Sequence, residues 1–278
     1  MIAAGAAFSW NPVTDWQALT SQSFMRNALI AGTIAAVLCS VVGSFVVLRG
    51  LTFAADALTH VGFAGASGAV LFGAPPVAGL LTLTLVAGTG IGVLQERLRG
   101  RDVVIGMILV GALGLGVLLL RLSSGYANQT YALLFGDILA LSTRDVVVLG
   151  CAAALAVAGT VAIFRPLLFA SLDEEVAESR GVPVRVLAVA FMLILAVAAS
   201  AATQVIGALL AVALIVAPAA SAQRLTHRPV RAVAIAVALG LAIVWVGLAI
   251  GYWLPYPASF FVTSLAAITY GVSRALGA

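Results

Sequence analysis

Asp56 and His60 are the residues of this 278-residue chain whose types and spacing bear most directly on chemistry. They lie early in an apolar run. A spacing of four puts them on one helix face, one turn apart, where a carboxylate oxygen and an imidazole nitrogen can converge. Ionisable groups inside apolar spans are costly and usually mark a transport path, a proton relay or a buried pair. Spacing alone leaves three readings open: a metal-binding pair, an Asp and His that hydrogen-bond each other, or two groups in the headgroup zone near Arg49. Two ligands do not complete a transition-metal site, since zinc normally takes about four and manganese up to about six. Two copies of the chain around a two-fold axis would supply two Asp oxygens and two His nitrogens. That set suits zinc, manganese or ferrous iron better than cuprous copper.

A second group, Asp173, Glu174, Glu175 and Glu178, falls in the stretch 171–183, Ser-Leu-Asp-Glu-Glu-Val-Ala-Glu-Ser-Arg-Gly-Val-Pro. So many carboxylates exclude a membrane-embedded segment. Ser171 is expected to cap a short helix, acidic residues suit its first turn, and Gly181 ends it. Such a helix is either simply solvated or a docking element for a cytoplasmic partner. Asp137 follows Phe135 and Gly136 in a short apolar run and is expected to satisfy backbone amides where a helix breaks. Pro218 removes a backbone hydrogen bond and is expected to kink its span. His227, among arginines, reads as a solvated loop residue. Cys39 and Cys151 lie in apolar runs and read as buried small hydrophobes. The chain has no Gly-rich phosphate loop of the G-x-x-x-x-G-K type, so any ATP hydrolysis falls to other chains.

Composition shows what must hold these residues. The chain is 63% hydrophobic and 9% charged, with a mean hydropathy of +1.18, whereas an ordinary soluble domain is about 25% charged. Lipid does not solvate free backbone amides, so long apolar stretches in it form helices or closed barrels. Runs near 20 residues without strict alternation select helices. They fall at 24–48, 54–72, 76–95, 103–120, 145–164, 186–202, 205–222, 230–250 and 257–275, predicting an all-α bundle of eight or nine spans in one domain, 1–278. The run at 130–141 is too short to cross ~30 Å at ~1.5 Å per residue and reads as re-entrant or broken helix. Residues 1–23, with Trp10, Pro12, Asp15 and Trp16, read as an interfacial segment rather than a cleavable signal peptide. Glycines such as Gly62, Gly65 and Gly68 let backbones approach closely. With nine spans, eleven of the 14 arginines fall on one side, in the loops 96–102, 165–185 and 223–231 among others, which makes that side cytoplasmic. They are spread over loops, a poor pattern for a nucleic-acid partner.

Four stretches then agree in order with a known pattern. They are Phe53-Ala-Ala-Asp-Ala-Leu-Thr-His, Leu134-Phe-Gly-Asp-Ile-Leu, Asp173-x-x-x-Ala177-x-x-x-Gly181, and Ile206-Gly-Ala-Leu-Leu-Ala-Val-Ala-Leu-Ile-Val-Ala-Pro-Ala-Ala-Ser-Ala-Gln-Arg. Over about residues 24–275 the chain resembles the permease subunits of bacterial zinc and manganese ABC transporters, whose signature reads aromatic-x-Gly-Asp-x-x-x-His. The resemblance implies a multi-pass permease of the bacterial inner membrane, working as a homodimer with cytoplasmic ATP-binding subunits and an extracytoplasmic metal-binding protein. It implies a zinc or manganese ion as cargo, no permanently bound cofactor, and a transport subunit rather than an enzyme. Asp56 and His60 would hold the ion. Asp173, Glu174, Glu175, Ala177 and Gly181 would form the helix that couples to the ATPase, and Phe135, Gly136, Asp137, Gly207 and Pro218 would serve structure or gating. Ala55 stands where glycine is usual, and Gly62-Phe63-Ala64-Gly65 lacks the usual proline, which bears on packing near the pair. One rival is a permease of the same architecture for an iron chelate or cobalamin. Another is a proton-coupled secondary carrier with Asp56 and His60 as relay, for which inverted halves would be expected and none is found.

Overall fold

The structure, a computed structural model, describes residues 21–94, 101–123, 134, 136, 138–208, 210–254 and 256–276. Among them every regular element is helical: α1 (Ser23–Leu48), α2 (Thr52–Leu71), α3 (Pro76–Leu94), α4 (Arg101–Leu122), a 3₁₀ turn (Ile138–Ala140), α5 (Thr143–Ala162), α6 (Phe164–Leu172), α7 (Glu174–Ser179), α8 (Val184–Ile206), α9 (Ala211–Leu225), α10 (Pro229–Trp253) and α11 (Ala258–Leu276).

Among the described residues six helices, α1, α3, α4, α5, α8 and α10, are long and apolar enough to cross a membrane, and α9 is a shorter apolar helix of 15 residues. The expected count of eight or nine spans is therefore not confirmed. The physical reason is clearest in α2. It carries Asp56, His60, two threonines and a serine, so its hydropathy is low, yet its side chains from Ala54 to Ala69 are buried almost without interruption. A helix wrapped by protein need not be apolar enough for lipid. By contrast α3, α4, α5 and α10 bury only a third or less of their most apolar stretch and turn the rest outward.

α1 and α8 run through the middle of the bundle. α2, α3 and α4 pack together on one side, α9, α10 and α11 on the other, and α5 lies against α1 and α8. Glycines set the closest approaches. Gly65 of α2 and Gly79 of α3 lie backbone to backbone, and Gly43 of α1 meets the Ile215 carbonyl of α9, leaving no room for a Cβ at any of these positions. Polar side chains within the spans are mostly satisfied locally or across helices: Thr84 and Ser200 join α3 to α8 at 2.7 Å, Trp245 Nε1 donates to Thr33 Oγ1 at 2.9 Å, and Gln223 Nε2 donates to the Ser44 carbonyl at 2.8 Å.

Several local expectations are corrected. The apolar run starting at residue 205 is not one helix: α8 ends at Ile206, Gly207 is extended with a positive φ, and α9 begins only at Ala211. Ser171 does not cap the acidic helix; its hydroxyl donates to the Leu167 carbonyl within α6, and Asp173 is the cap. Cys39 is buried, but Cys151 faces outward from α5, because lipid solvates an apolar thiol as readily as a protein core does. Residues 1–20 of the expected interfacial segment lie outside the described residues.

Adding a methyl group where backbones touch forces the helices apart, at a cost of ~1–3 kcal/mol. Gly65→Ala and Gly79→Ala are therefore expected to lower the thermal unfolding midpoint of the purified protein in detergent. Gly90→Ala, with open space around it, is expected to leave the midpoint unchanged. Equal behaviour of all three would contradict the α2–α3 contact.

Candidate metal centre

The α2 signature begins just after a tight turn at Arg49 and Gly50, where Gly50 has φ +64° and Leu51 N–H donates to the Val46 carbonyl at 2.8 Å. No proline follows within the helix, so α2 continues unbroken to Leu71. Ala55 is fully buried, its N–H bonded to the Leu51 carbonyl at 3.0 Å, so the methyl group in place of the usual glycine is accommodated. At ~1.5 Å per residue, Asp56 and His60 stand about 6 and 12 Å along the helix.

His60 Nε2 and Asp56 Oδ1 are 3.7 Å apart, too far for a hydrogen bond. The reading in which the two simply hydrogen-bond each other is not what the geometry gives. Two donors each ~2.1 Å from one zinc ion at a tetrahedral angle would stand roughly 3.4 Å apart, so the gap is close to that between two ligands of a single ion. His60 is buried, with side-chain exposure of 9% against 33% for Asp56, so the pair opens on the carboxylate side. His60 Nδ1 is buried without a hydrogen-bond partner among the described residues. Also among them, no third His, Cys, Asp or Glu joins the pair. The described residues thus bring two potential metal ligands together.

The neighbourhood links this pair to the break between α8 and α9. Phe63, one turn beyond His60, is fully buried with Leu120 of α4 and Ala208, against Leu134. A Cβ on Gly116 of α4 would meet the Phe63 ring at 2.6 Å. Gly136, with φ +75°, presses on the backbone of Ile206 and Gly207, where a Cβ would lie 2.5 Å from the Ile206 carbonyl carbon. Gly136 and Gly207, far apart in sequence, are thus brought together. Phe135 and Asp137 lie outside the described residues; of that short run, Ile138–Ala140 form the 3₁₀ turn. Pro218 is buried inside α9, which runs through it, 11 residues beyond Gly207. Two polar groups had escaped notice in the sequence. Thr203 Oγ1 and Gln204 Nε2, in the last turn of α8, are buried without hydrogen-bond partners among the described residues. Only their position just before a glycine within an apolar run distinguishes them.

The acidic segment forms its own compact unit. Asp173 Oδ1 accepts from Val176 N–H at 3.0 Å, and Glu174 and Glu175 occupy the first turn of α7. The helix closes through Gly181, φ +80°, whose N–H donates to the Glu178 carbonyl at 2.9 Å, while Val182 N–H donates to the Ala177 carbonyl at 3.1 Å. Ala177 is fully buried among Ala170, Val184 and Leu187. It ties α7 to α6 and to the start of α8, while the carboxylates point outward.

These features define a class, a multi-pass helical membrane protein with an Asp–His pair on one helix wrapped by others. The sequence matches the ABC 3 transport family over residues 21–276. The chain belongs to that family, and the resemblance to metal ABC permeases is borne out. It is 31% identical over 211 residues to the manganese transport system membrane protein MntC of Halalkalibacterium halodurans, covering 76% of this chain and 72% of that protein. It is 29% identical to the chelated iron transport system membrane protein YfeC of Yersinia pestis, over 78% of this chain and 74% of that one. Among solved structures, PsaBC from Streptococcus pneumoniae in complex with Fab superposes with a TM-score of 0.83 at 26% identity, covering 94% of each chain. An inward-facing putative metal-chelate type ABC transporter shares the fold, with a TM-score of 0.73 at 17% identity over 99% of this chain and 94% of that one.

Gly207, at φ 85° and ψ 160°, occupies a backbone region that is essentially glycine-only, where another residue costs ~1–3 kcal/mol. Gly207→Ala is expected to lower the unfolding midpoint and to slow transport. Gly50→Asn, at a left-handed position with no neighbour within 4 Å, is expected to do neither.

Proposed function

We propose that this chain is the permease of an ATP-driven importer that carries a divalent transition metal ion, manganese or zinc, across the bacterial inner membrane, with Asp56 and His60 as ligands in the path. The observation that carries this reading is the Asp56–His60 geometry, two facing donors 3.7 Å apart with the imidazole buried and its far nitrogen unpartnered. A carboxylate and an imidazole suit manganese, zinc or ferrous iron, and availability in the cell selects among them. The manganese-transport names of relatives such as MntC favour manganese.

On this reading two copies assemble around the path, each contributing an Asp–His pair, and α2, α9 and α11 cross the membrane together with the six long apolar helices. The outward face of α4 supports such an assembly. Gly111 and Gly114 there have open space around them, between the exposed Met107, Val110 and Leu118. Small residues on an apolar face allow a second helix to approach closely in lipid. ATP is bound and hydrolysed on a cytoplasmic partner, and an extracytoplasmic protein delivers the metal. α7 is the helix that meets the ATPase, its carboxylates outward and Ala177 inward, so a push on α7 passes to α8 and on to the Gly207 break beside α2. Gly136, Gly207 and Pro218 then form the joint about which the path opens to one side or the other.

Asp56→Asn and His60→Gln keep size and helix propensity while removing ligand strength. Each is expected to cut uptake of manganese or zinc into proteoliposomes holding the full transporter by at least about tenfold, a loss of roughly 1.4 kcal/mol or more. Metal retained by the purified complex, measured by elemental analysis, should fall in parallel. Parental rates in both variants would sink the mechanism. A chelate carrier is the second reading, favoured by the likeness to YfeC. Uptake of chelated iron unaffected by excess bare manganese would favour it.

Charge reversal at Glu174→Lys with Glu175→Lys is expected to leave the unfolding midpoint and metal binding intact while abolishing metal-stimulated ATPase activity of the complex. Asp173→Ala removes the α7 cap, worth ~1 kcal/mol, and should weaken coupling without abolishing it. Full coupling in the charge-reversed protein would show that α7 is only a solvated helix.

A further inference from the structure

A cleft of about 220 Å³, which neither Asp56 nor His60 lines, opens at the end of the bundle that carries α7. Phe45 and Leu48 of α1, Phe164 and Leu168 of α6, and Ala232 and Val233 of α10 give it apolar walls. Its polar lining is Ser44, Gln223, Thr226 and His227. It lies between helices, and most of its lining is apolar.

The charged residues adjacent in sequence to its lining residues are arginines, whereas the carboxylates of that end lie beyond α6, on α7. From Ser179 to Ala278 the chain has no aspartate or glutamate, yet it carries Arg180, Arg185, Arg224, Arg228, Arg231 and Arg274. Arg228 stands between the cleft residues His227 and Pro229, Arg231 immediately precedes Ala232, and Arg165 immediately follows Phe164. All three arginines are exposed, and none makes an ion pair among the described residues. Nearby, Arg224 lies over the Tyr270 ring at 5.5 Å to its centre. A basic rim on an apolar slot between membrane helices is complementary to a molecule with an anionic head and a hydrocarbon tail.

We propose that this cleft binds an anionic phospholipid, one acyl chain between α1, α6 and α10 and the phosphate headgroup among Arg165, Arg228 and Arg231. A lipid is favoured over an acidic protein surface because the cavity runs inward between apolar walls, where a folded partner would leave it empty. The bound lipid also braces α6, which leads directly into α7. That consequence for coupling rests on α7 being the helix that meets the ATPase; the lipid site itself does not.

The test uses the intact permease–ATPase complex, delipidated and then exposed to phosphatidylglycerol or phosphatidylcholine vesicles, with retained lipid read by native mass spectrometry. Each arginine near an anionic headgroup is worth about fivefold in binding. The parental complex is expected to retain phosphatidylglycerol over phosphatidylcholine, and Arg228→Gln with Arg231→Gln to reduce that retention by roughly tenfold or more. Ala232→Phe, which fills the slot, is expected to remove retention of the lipid with all the arginines in place. Equal retention of both lipids by the parental complex overturns the proposal without any variant. So does unchanged phosphatidylglycerol retention in the arginine variant, and if that variant instead sheds the ATPase, the rim is a protein-docking face. Asp56→Asn serves as the control: it should keep the lipid while losing metal, so the failure of one reading is told apart from the failure of the other.

Discussion

A carboxylate and an imidazole held inside a lipid-solvated bundle impose most of this architecture. Hydrocarbon offers neither group a hydrogen bond, and each stranded polar atom costs several kcal/mol, so the helix that carries them cannot face lipid. α2 meets that demand by being surrounded: α3, α4 and α8 close around it, and it gives up large apolar side chains for Ala, Gly, Ser and Thr. The surrounding helices reach it only because glycines clear the way, Gly79 from α3 and Gly116 from α4. Those outer helices then take over the contact with lipid, which is why they are the more apolar. Low hydropathy in α2 and high hydropathy in its neighbours are two sides of one constraint.

The same constraint explains where polar groups are satisfied and where they are not. Most hydroxyls in the spans donate to the carbonyl one turn back, as Ser67 does to Phe63 and Thr160 to Ala156, and a few tie helices together, as Thr84 does with Ser200. Away from these, His60 Nδ1 on α2, Thr203 Oγ1 and Gln204 Nε2 on α8, Ser40 Oγ on α1 and Ser221 Oγ on α9 are buried without hydrogen-bond partners among the described residues. Of these only His60 carries a metal-ligating nitrogen, and a buried group left unmatched needs a reason, such as an ion or its water.

How much of this was legible in the sequence depended on whether a feature was local. The helical class followed from composition, and the Asp56–His60 face from a spacing of four. The acidic helix followed from charge density, although its cap was misassigned: both Ser171 and Asp173 are cap formers, and their order relative to α6 decided between them. The burial of α2 was not legible from hydropathy, because a helix wrapped by protein and a helix in water share a low score. The break at Gly207 hid within a continuous apolar run, since glycine is common in membrane helices and only its positive φ marks an ending. The meeting of Gly136 with Gly207 needed the tertiary fold, as did the cleft beneath α10, whose walls come from four separate helices.

On the homodimeric reading, the incomplete donor set and the open face of α4 are connected. Lipid tails are as apolar as the helix surface, so there is no hydrophobic gain in pressing two such faces together, and association depends on close packing and on polar links. Gly111 and Gly114 supply room for the packing. The polar link would come from the ion itself, shared between an Asp–His pair from each copy; α4 packs directly on α2, and Asp56 is the more exposed member of the pair. Metal binding and dimer stability would then be thermodynamically linked, each strengthening the other by the same free energy. An importer built this way has to weaken that link once per cycle to let the ion go. The Gly207 break, joined to α2 through Ala208 and Phe63, lies where a change in helix position could do so.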